Sequence, residues 1–274
     1  VLTFPIRSGK LQLSASVRRQ IVKERSKFQT IEIFETDAFG KALLLDGHIQ
    51  LTEFDEQAYH ELLVWIPLLN IHMPKRALIV GGGDGGVARE LCRHPEIETI
   101  DMVEIDEAVV RLCREHMPTV SSGAFGDPRL NLHLEDAFEF VRRATEPYDL
   151  IVADSTDVYE DEEGELSERL FTVEFYRDLR RILSPAGFVV TQADNPVFCP
   201  YSLKDVTAAF QSVFPLVGSY WGLVPSFGGF SAFCWGSNGG RLPDAWPATE
   251  RTYSYLDERT YGLAFSRLPF ASRP

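Results

Sequence analysis

The sequence predicts an α/β protein, a parallel doubly wound sheet preceded by a small antiparallel β segment. Three observations carry this. Residues 11–52 read as strands and turns with a period of two, whereas from Asp55 onward short apolar strands alternate with helical patterns. Such alternation is the signature of a sheet covered by helices on both faces. A glycine-rich turn, Gly81-Gly-Gly-Asp84-Gly-Gly86, stands between the first of these strands and the helix that follows it.

In chain order, Gln29-Thr-Ile-Glu-Ile-Phe-Glu35 alternates strictly, and Lys41–Gln50 continues in the same style around the turn signal Asp46-Gly47. Residues 56–70 carry apolar side chains at helical spacing. A strand at 76–81, a helix at 85–94, a strand at 99–104 and a helix at 106–117 follow. Further strands are predicted at 130–134, 149–154 and 188–192, with helices at 137–145, 172–183 and 202–213. An aromatic and glycine-rich terminal hairpin is predicted over 217–235. The change of texture at Asp55 divides the chain into an N-terminal β-strand domain, residues 1–54, and an α/β domain, residues 55–274.

The formal net charge of -13 argues against general nucleic-acid binding, which needs a basic face, and permits a field that attracts cations. No apolar run is long enough to span a membrane, and Val1–Lys10 lacks the core of a signal peptide, so a cytoplasmic location is expected. Cys92, Cys113, Cys199 and Cys234 have no metal or redox spacing and read as reduced core cysteines.

Glycines in the 81–86 turn permit a tight bend and close approach of a ligand. Glu104 ends the next strand about 20 residues on, where an acid can accept from both ribose hydroxyls. Asp136-Ala137 follows a third strand, placed to accept from an adenine amino group. The same acids could instead cap the following helices. No lysine follows the glycines as a phosphate-binding loop requires, so the expected ligand is an adenosine without a phosphate chain, S-adenosylmethionine or a relative. Asp84, inside the turn, would repel the tail carboxylate of intact S-adenosylmethionine and pair with the lone ammonium left by decarboxylation. Such a contact is worth about 4 kcal/mol before desolvation.

Asp154-Ser-Thr-Asp157 ends the strand over the same crevice. An amine must be neutral to attack a carbon beside a sulfonium, so a base is needed. Asp154 is the expected base and Asp157 an anchor. Tyr59, Gln192 and Gln50 are candidates for orienting the amine. Residues 154–168 hold eight acids and no lysine or arginine, which reads as a solvated loop or as a funnel for a cation.

These strings, with Ser26-Lys-Phe-Gln29, Leu45–Glu61 and Val103-Glu104-Ile-Asp106, resemble the spermidine synthase family from about Gly9 to Trp235. The resemblance implies a Rossmann-like sheet of the S-adenosylmethionine-dependent methyltransferase type behind an N-terminal β domain, and a homodimer or homotetramer. It implies aminopropyl transfer from decarboxylated S-adenosylmethionine to putrescine, with no metal, redox group or permanently bound cofactor. Residues matching Gln29, His60, Asp84, Glu104, Asp136 and Ala137 contact the donor or methylthioadenosine in such enzymes. Asp154 matches the proton acceptor, and Tyr59, Asp157 and Gln192 match residues around the diamine. Three positions depart from the family: Val158 begins a longer acidic loop, Phe227 stands at a substrate-binding tyrosine, and Trp65 replaces a common histidine. Agmatine or another longer acceptor therefore remains open. So do a methyltransferase using the intact donor and a non-catalytic polyamine or nucleoside binder.

Overall fold

The computed structural model describes residues 1–6, 11–155, 166–247 and 249–268. It opens on an antiparallel hairpin of β1 (Leu2–Pro5) and β2 (Gln12–Ala15). Four antiparallel strands follow in sequence order: β3 (Val17–Arg25), β4 (Thr30–Thr36), β5 (Gly40–Leu45) and β6 (His48–Thr52). The β5–β6 turn puts Asp46 and Gly47 at φ 46° and 84°, the left-handed pair that a tight hairpin favours.

The remaining elements alternate as the sequence predicts. They are α1 (Glu56–Leu68), β7 (Arg76–Gly81), α2 (Gly86–Cys92), β8 (Thr99–Glu104), α3 (Glu107–His116), the single turn α4 (Pro118–Ser121) and β9 (Leu130–Leu134). Then come α5 (Ala137–Arg143), β10 (Tyr148–Asp154), α6 (Val173–Arg181), β11 (Leu183–Gln192), α7 (Pro200–Gln211), β12 (Leu216–Val224), β13 (Gly229–Ser237) and α8 (Glu258–Ala264). One seven-stranded sheet has the order β12-β13-β11-β10-β7-β8-β9. Strands β7 to β11 pair in parallel, whereas β12 and β13 run antiparallel at one edge.

Each strand feeds two cores, as a two-residue repeat requires. Ala77, Ile79, Ile100, Met102, Leu150 and Val152 face α1 and α2. Leu78, Val80, Val103, Ile151 and Ala153 face the aromatic layer of α5, α6 and α7. A third cluster joins the four-stranded sheet to α3, through Ile31, Ile33, Leu43 and Leu51 against Val109, Leu112 and Met117. At about 1.5–3 kcal/mol for each large apolar side chain fully buried, this contact is strong enough to hold the small sheet over the carboxyl ends of the parallel strands. Helix α1 is buried nearly all round, because residues after β13 cover its outer face; Glu61 accepts the backbone N–H groups of Ser254, Tyr255 and Leu256 at 2.7, 2.8 and 2.9 Å.

Three features differ from expectation. Strand β11 starts at Leu183 rather than residue 188, since Tyr148 pairs with Leu183 ahead of a register shift. The β1–β2 hairpin crosses a stretch with little alternation. Helix α8 is only seven residues long and is secured by an Asp257–Thr260 capping box. None of the four cysteines is in a disulfide, and Cys113, Cys199 and Cys234 are buried. Among the described residues no helix is long and apolar enough to cross a membrane.

Candidate active site

The sheet reverses its winding between β7 and β10, the place where open α/β sheets bind ligands. There Gly81 pairs with Asp154, and the Gly82 N–H donates to the Asp154 carbonyl at 2.9 Å. Gly81 has φ 81°, and a Cβ on it would lie 2.3 Å from that carbonyl oxygen. The glycine turn thus lets the end of β10 sit directly against it. Gly86 has ordinary backbone geometry, yet a Cβ there would meet the His60 ring at 2.1 Å. Its lack of a side chain makes room for that histidine.

Four side chains converge on this point. The Tyr59 hydroxyl donates to Asp154 Oδ1 at 2.8 Å. His60 Nε2 lies 3.3 Å from Asp84 Oδ1, which also accepts the Gly86 N–H at 2.7 Å. Donor atoms of His60, Asp84 and Asp154 all lie within 4.8 Å of one another. Burial pushes the Asp154 carboxyl up to about 6, and the Asp84 charge adds to this, while His60 and the Tyr59 hydroxyl oppose it. Burial would lower His60, but Asp84 and Glu56, on its two ring nitrogens, override it and raise the ring to about 10.

The cleft holds about 310 Å³ and runs from these residues across the strand ends. Glu104 ends β8, buried, and accepts the Asp106 N–H at 2.8 Å. Burial lifts its carboxyl to about 7, with the neighbouring Asp106 charge contributing. Asp136 caps α5 by accepting from the Phe138 N–H at 2.8 Å, while its other oxygen is 3.2 Å from Arg169. The capping role and the cleft position therefore coexist in one residue. Ala137 lies beside it. Gln29 donates to Asp106 at 3.0 Å, Gln50 to the His48 carbonyl at 3.2 Å, and Gln192 accepts the Asp194 N–H at 2.9 Å.

Ten predicted residues line this one cleft: Gln29, Gln50, Tyr59, His60, Asp84, Glu104, Asp136, Ala137, Asp154 and Gln192. Asp157 and most of the acidic run lie outside the described residues. The sequence reading missed the apolar walls: Phe28, Leu43 and Leu45 from the small sheet, and Val109 and Phe138 from the helices. The inward period of β5 was the available signal. It also missed Glu56 and Arg89 behind His60; Glu56 and His60 are four apart on one helix, but Arg89 comes from another element. Phe227 closes the far end, its ring edge-on to Tyr59 with centroids 5.6 Å apart.

Residues 56–239 match the spermine/spermidine synthase domain, and residues 8–53 match the spermidine synthase tetramerisation domain. A polyamine aminopropyltransferase of Clostridium acetobutylicum is 42% identical over 219 residues, 79% of this chain and 75% of that one. Polyamine aminopropyltransferase 1 of Pseudomonas aeruginosa is 40% identical over 223 residues, 81% of this chain and 76% of its own. Among solved structures, a spermidine synthase in complex with the transition state analogue AdoDATO superposes with a TM-score of 0.89 at 29% identity, covering 98% of this chain and 92% of that one. The spermidine synthase of Thermotoga maritima gives 0.88 at 29% identity, over 98% and 91% of the two chains. With a Rossmann-like sheet, an acid-lined cleft at its switch point and these relatives, the chain belongs to the spermine/spermidine synthase family of polyamine aminopropyltransferases.

Proposed function

We propose that this enzyme transfers the aminopropyl group of decarboxylated S-adenosylmethionine to putrescine, giving spermidine and methylthioadenosine. The observation that carries the reading is the meeting of Asp84 and Asp154 in one cleft, with the Tyr59 hydroxyl on Asp154. In the proposed step the amine lone pair attacks the carbon beside the sulfonium. The carbon–sulfur bond breaks, its electrons stay on sulfur as a thioether, and the amine proton passes to Asp154. A carboxyl near 6 is ionised at neutral pH yet basic enough to take that proton as the amine is alkylated. Asp84 takes the donor ammonium, Glu104 the ribose hydroxyls, and Asp136 with Ala137 the adenine edge, while Gln29 and His60 flank the nucleoside. Tyr59, Gln192, Gln50 and Asp157 surround the diamine.

Residues 1–54 and 55–274 are taken as two domains, the first serving self-association as a homodimer or homotetramer, in the cytoplasm. Phe227 favours a second acceptor reading. It offers no hydroxyl to the far amine, and an acceptor such as agmatine, which carries a guanidinium in place of that amine, is the alternative. Incubation with decarboxylated or intact S-adenosylmethionine and a panel of putrescine, cadaverine, agmatine and spermidine decides the matter. With decarboxylated donor and putrescine, methylthioadenosine and spermidine are the expected product pair. S-adenosylhomocysteine, or binding without turnover, overturns the reading.

A further inference from the structure

The charged chain that meets Asp84 does not stop at His60. His60 Nδ1 lies 2.6 Å from Glu56 Oε2, one turn earlier on α1. Arg89, on α2, holds both Glu56 oxygens at 2.8 and 2.9 Å and donates to the Val120 carbonyl at 2.6 Å. Arg89, Glu56, His60 and Asp84 form a run of alternating charge from behind α1 into the cleft. The charged groups facing His60 are Glu56 on its own helix, Asp84 from the glycine turn and Asp154 from β10, with Arg89 behind Glu56.

We infer that Glu56 is a positioning residue for donor recognition: with Arg89 it fixes the His60 ring so that the far ring nitrogen clamps one oxygen of Asp84. The argument is one of donors and acceptors. Carboxylates on both ring nitrogens accept only, so both nitrogens must carry hydrogen. A neutral ring would turn a lone pair toward one of them. With Oδ1 of Asp84 taken by His60 and by the Gly86 N–H, Oδ2 is the oxygen that meets a cation in the cleft. Glu56 itself resists protonation: burial raises its carboxyl, but the hydrogen bonds from His60 and Arg89 bring it below its ordinary value. The contact needs close approach of the ring to α2, and Gly86 supplies it. Solvent screening is weak at the middle of this run, since His60 and Glu56 are both buried.

The inference rests on the donor reading given above, and its test separates the two. In histidine-labelled protein without donor, both His60 nitrogens should give protonated-type ¹⁵N shifts up to about pH 9, with His60→Asn identifying the signal among the six histidines. In Glu56→Gln, which keeps the shape and removes the charge, the ring should titrate near neutral pH. The KM for decarboxylated donor should rise about tenfold with a smaller change in kcat, and should acquire a pH dependence that the parent lacks. Gly86→Ala, which pushes the ring aside without disturbing Glu56, should give the same rise in KM. A His60 that is neutral at pH 8 in the parent protein overturns the inference, as does a Glu56→Gln enzyme with unchanged His60 titration and unchanged KM. Neither ¹⁵N measurement uses donor, so a failed methylthioadenosine assay would strike the functional reading alone.

Discussion

Two buried charge clusters pack against α1, and they differ in how their charge is balanced. Behind the helix, each acid is matched by arginines or by several backbone donors at once. Glu90 accepts from the Trp65 indole at 2.8 Å, from Arg89 at 2.7 Å and from Arg93, and Glu61 accepts three backbone N–H groups. In front of it, Asp84, Asp154 and Glu104 share one cleft in which His60 is the charged partner within ion-pair distance of Asp84. Partnered charge is architecture. Under the proposed function, a cationic ligand supplies the balance for charge held in excess of its partners.

The sharpest way to break this comparison is to remove one acid from each side. Glu90→Ala should cost about 3–5 kcal/mol of stability, because it strands the buried Trp65 N–H and part of the largely buried Arg89 guanidinium; thermal melting checks it. Asp154→Asn should do the reverse: turnover falls at least about a hundredfold while donor affinity by calorimetry stays close to the parent's, and the ligand-free melting temperature holds or rises as repulsion with Asp84 is relieved. A stability loss in Asp154→Asn like that of Glu90→Ala would erase the distinction. Asp84→Asn should shrink the preference for decarboxylated over intact donor by about tenfold, read as a ratio of kcat/KM values.

The smallest effects are in pH. With its carboxyl near 6, Asp154 is protonated as pH falls through that value, so kcat/KM should drop below about pH 6. His60 titrates near 10 in the folded chain against 6.5 for the free side chain. Its contribution to stability is therefore complete below 6.5 and fades as pH climbs toward 10. Ligand-free protein should melt at progressively lower temperature across that interval, and His60→Gln should flatten the slope.

The frontal cluster was legible in the sequence because each of its acids stands at a strand end or in the glycine turn, and parallel strands bring their carboxyl ends to one edge. The rear cluster was not. Glu56, Arg89 and Glu90 sit on two helices whose approach is set by packing, and no local pattern records that Arg89 reaches across 33 residues to Glu56. Gly86 illustrates the same limit: within the motif it reads as backbone freedom, whereas its reason is the volume of His60. Helix α8 escaped because it lies beyond residue 235, where the strand–helix alternation that located the equally short α2 and α5 has ended.

The three N–H groups that Glu61 collects from residues 254–256 have a practical consequence. Anyone trimming the protein to the span of its family match would end near residue 239 and cut these donors away. That would leave a stripped carboxylate beside His60 in the middle of α1. Such a fragment should express poorly or lose activity without any cleft residue having been touched, so deletion boundaries belong beyond α8.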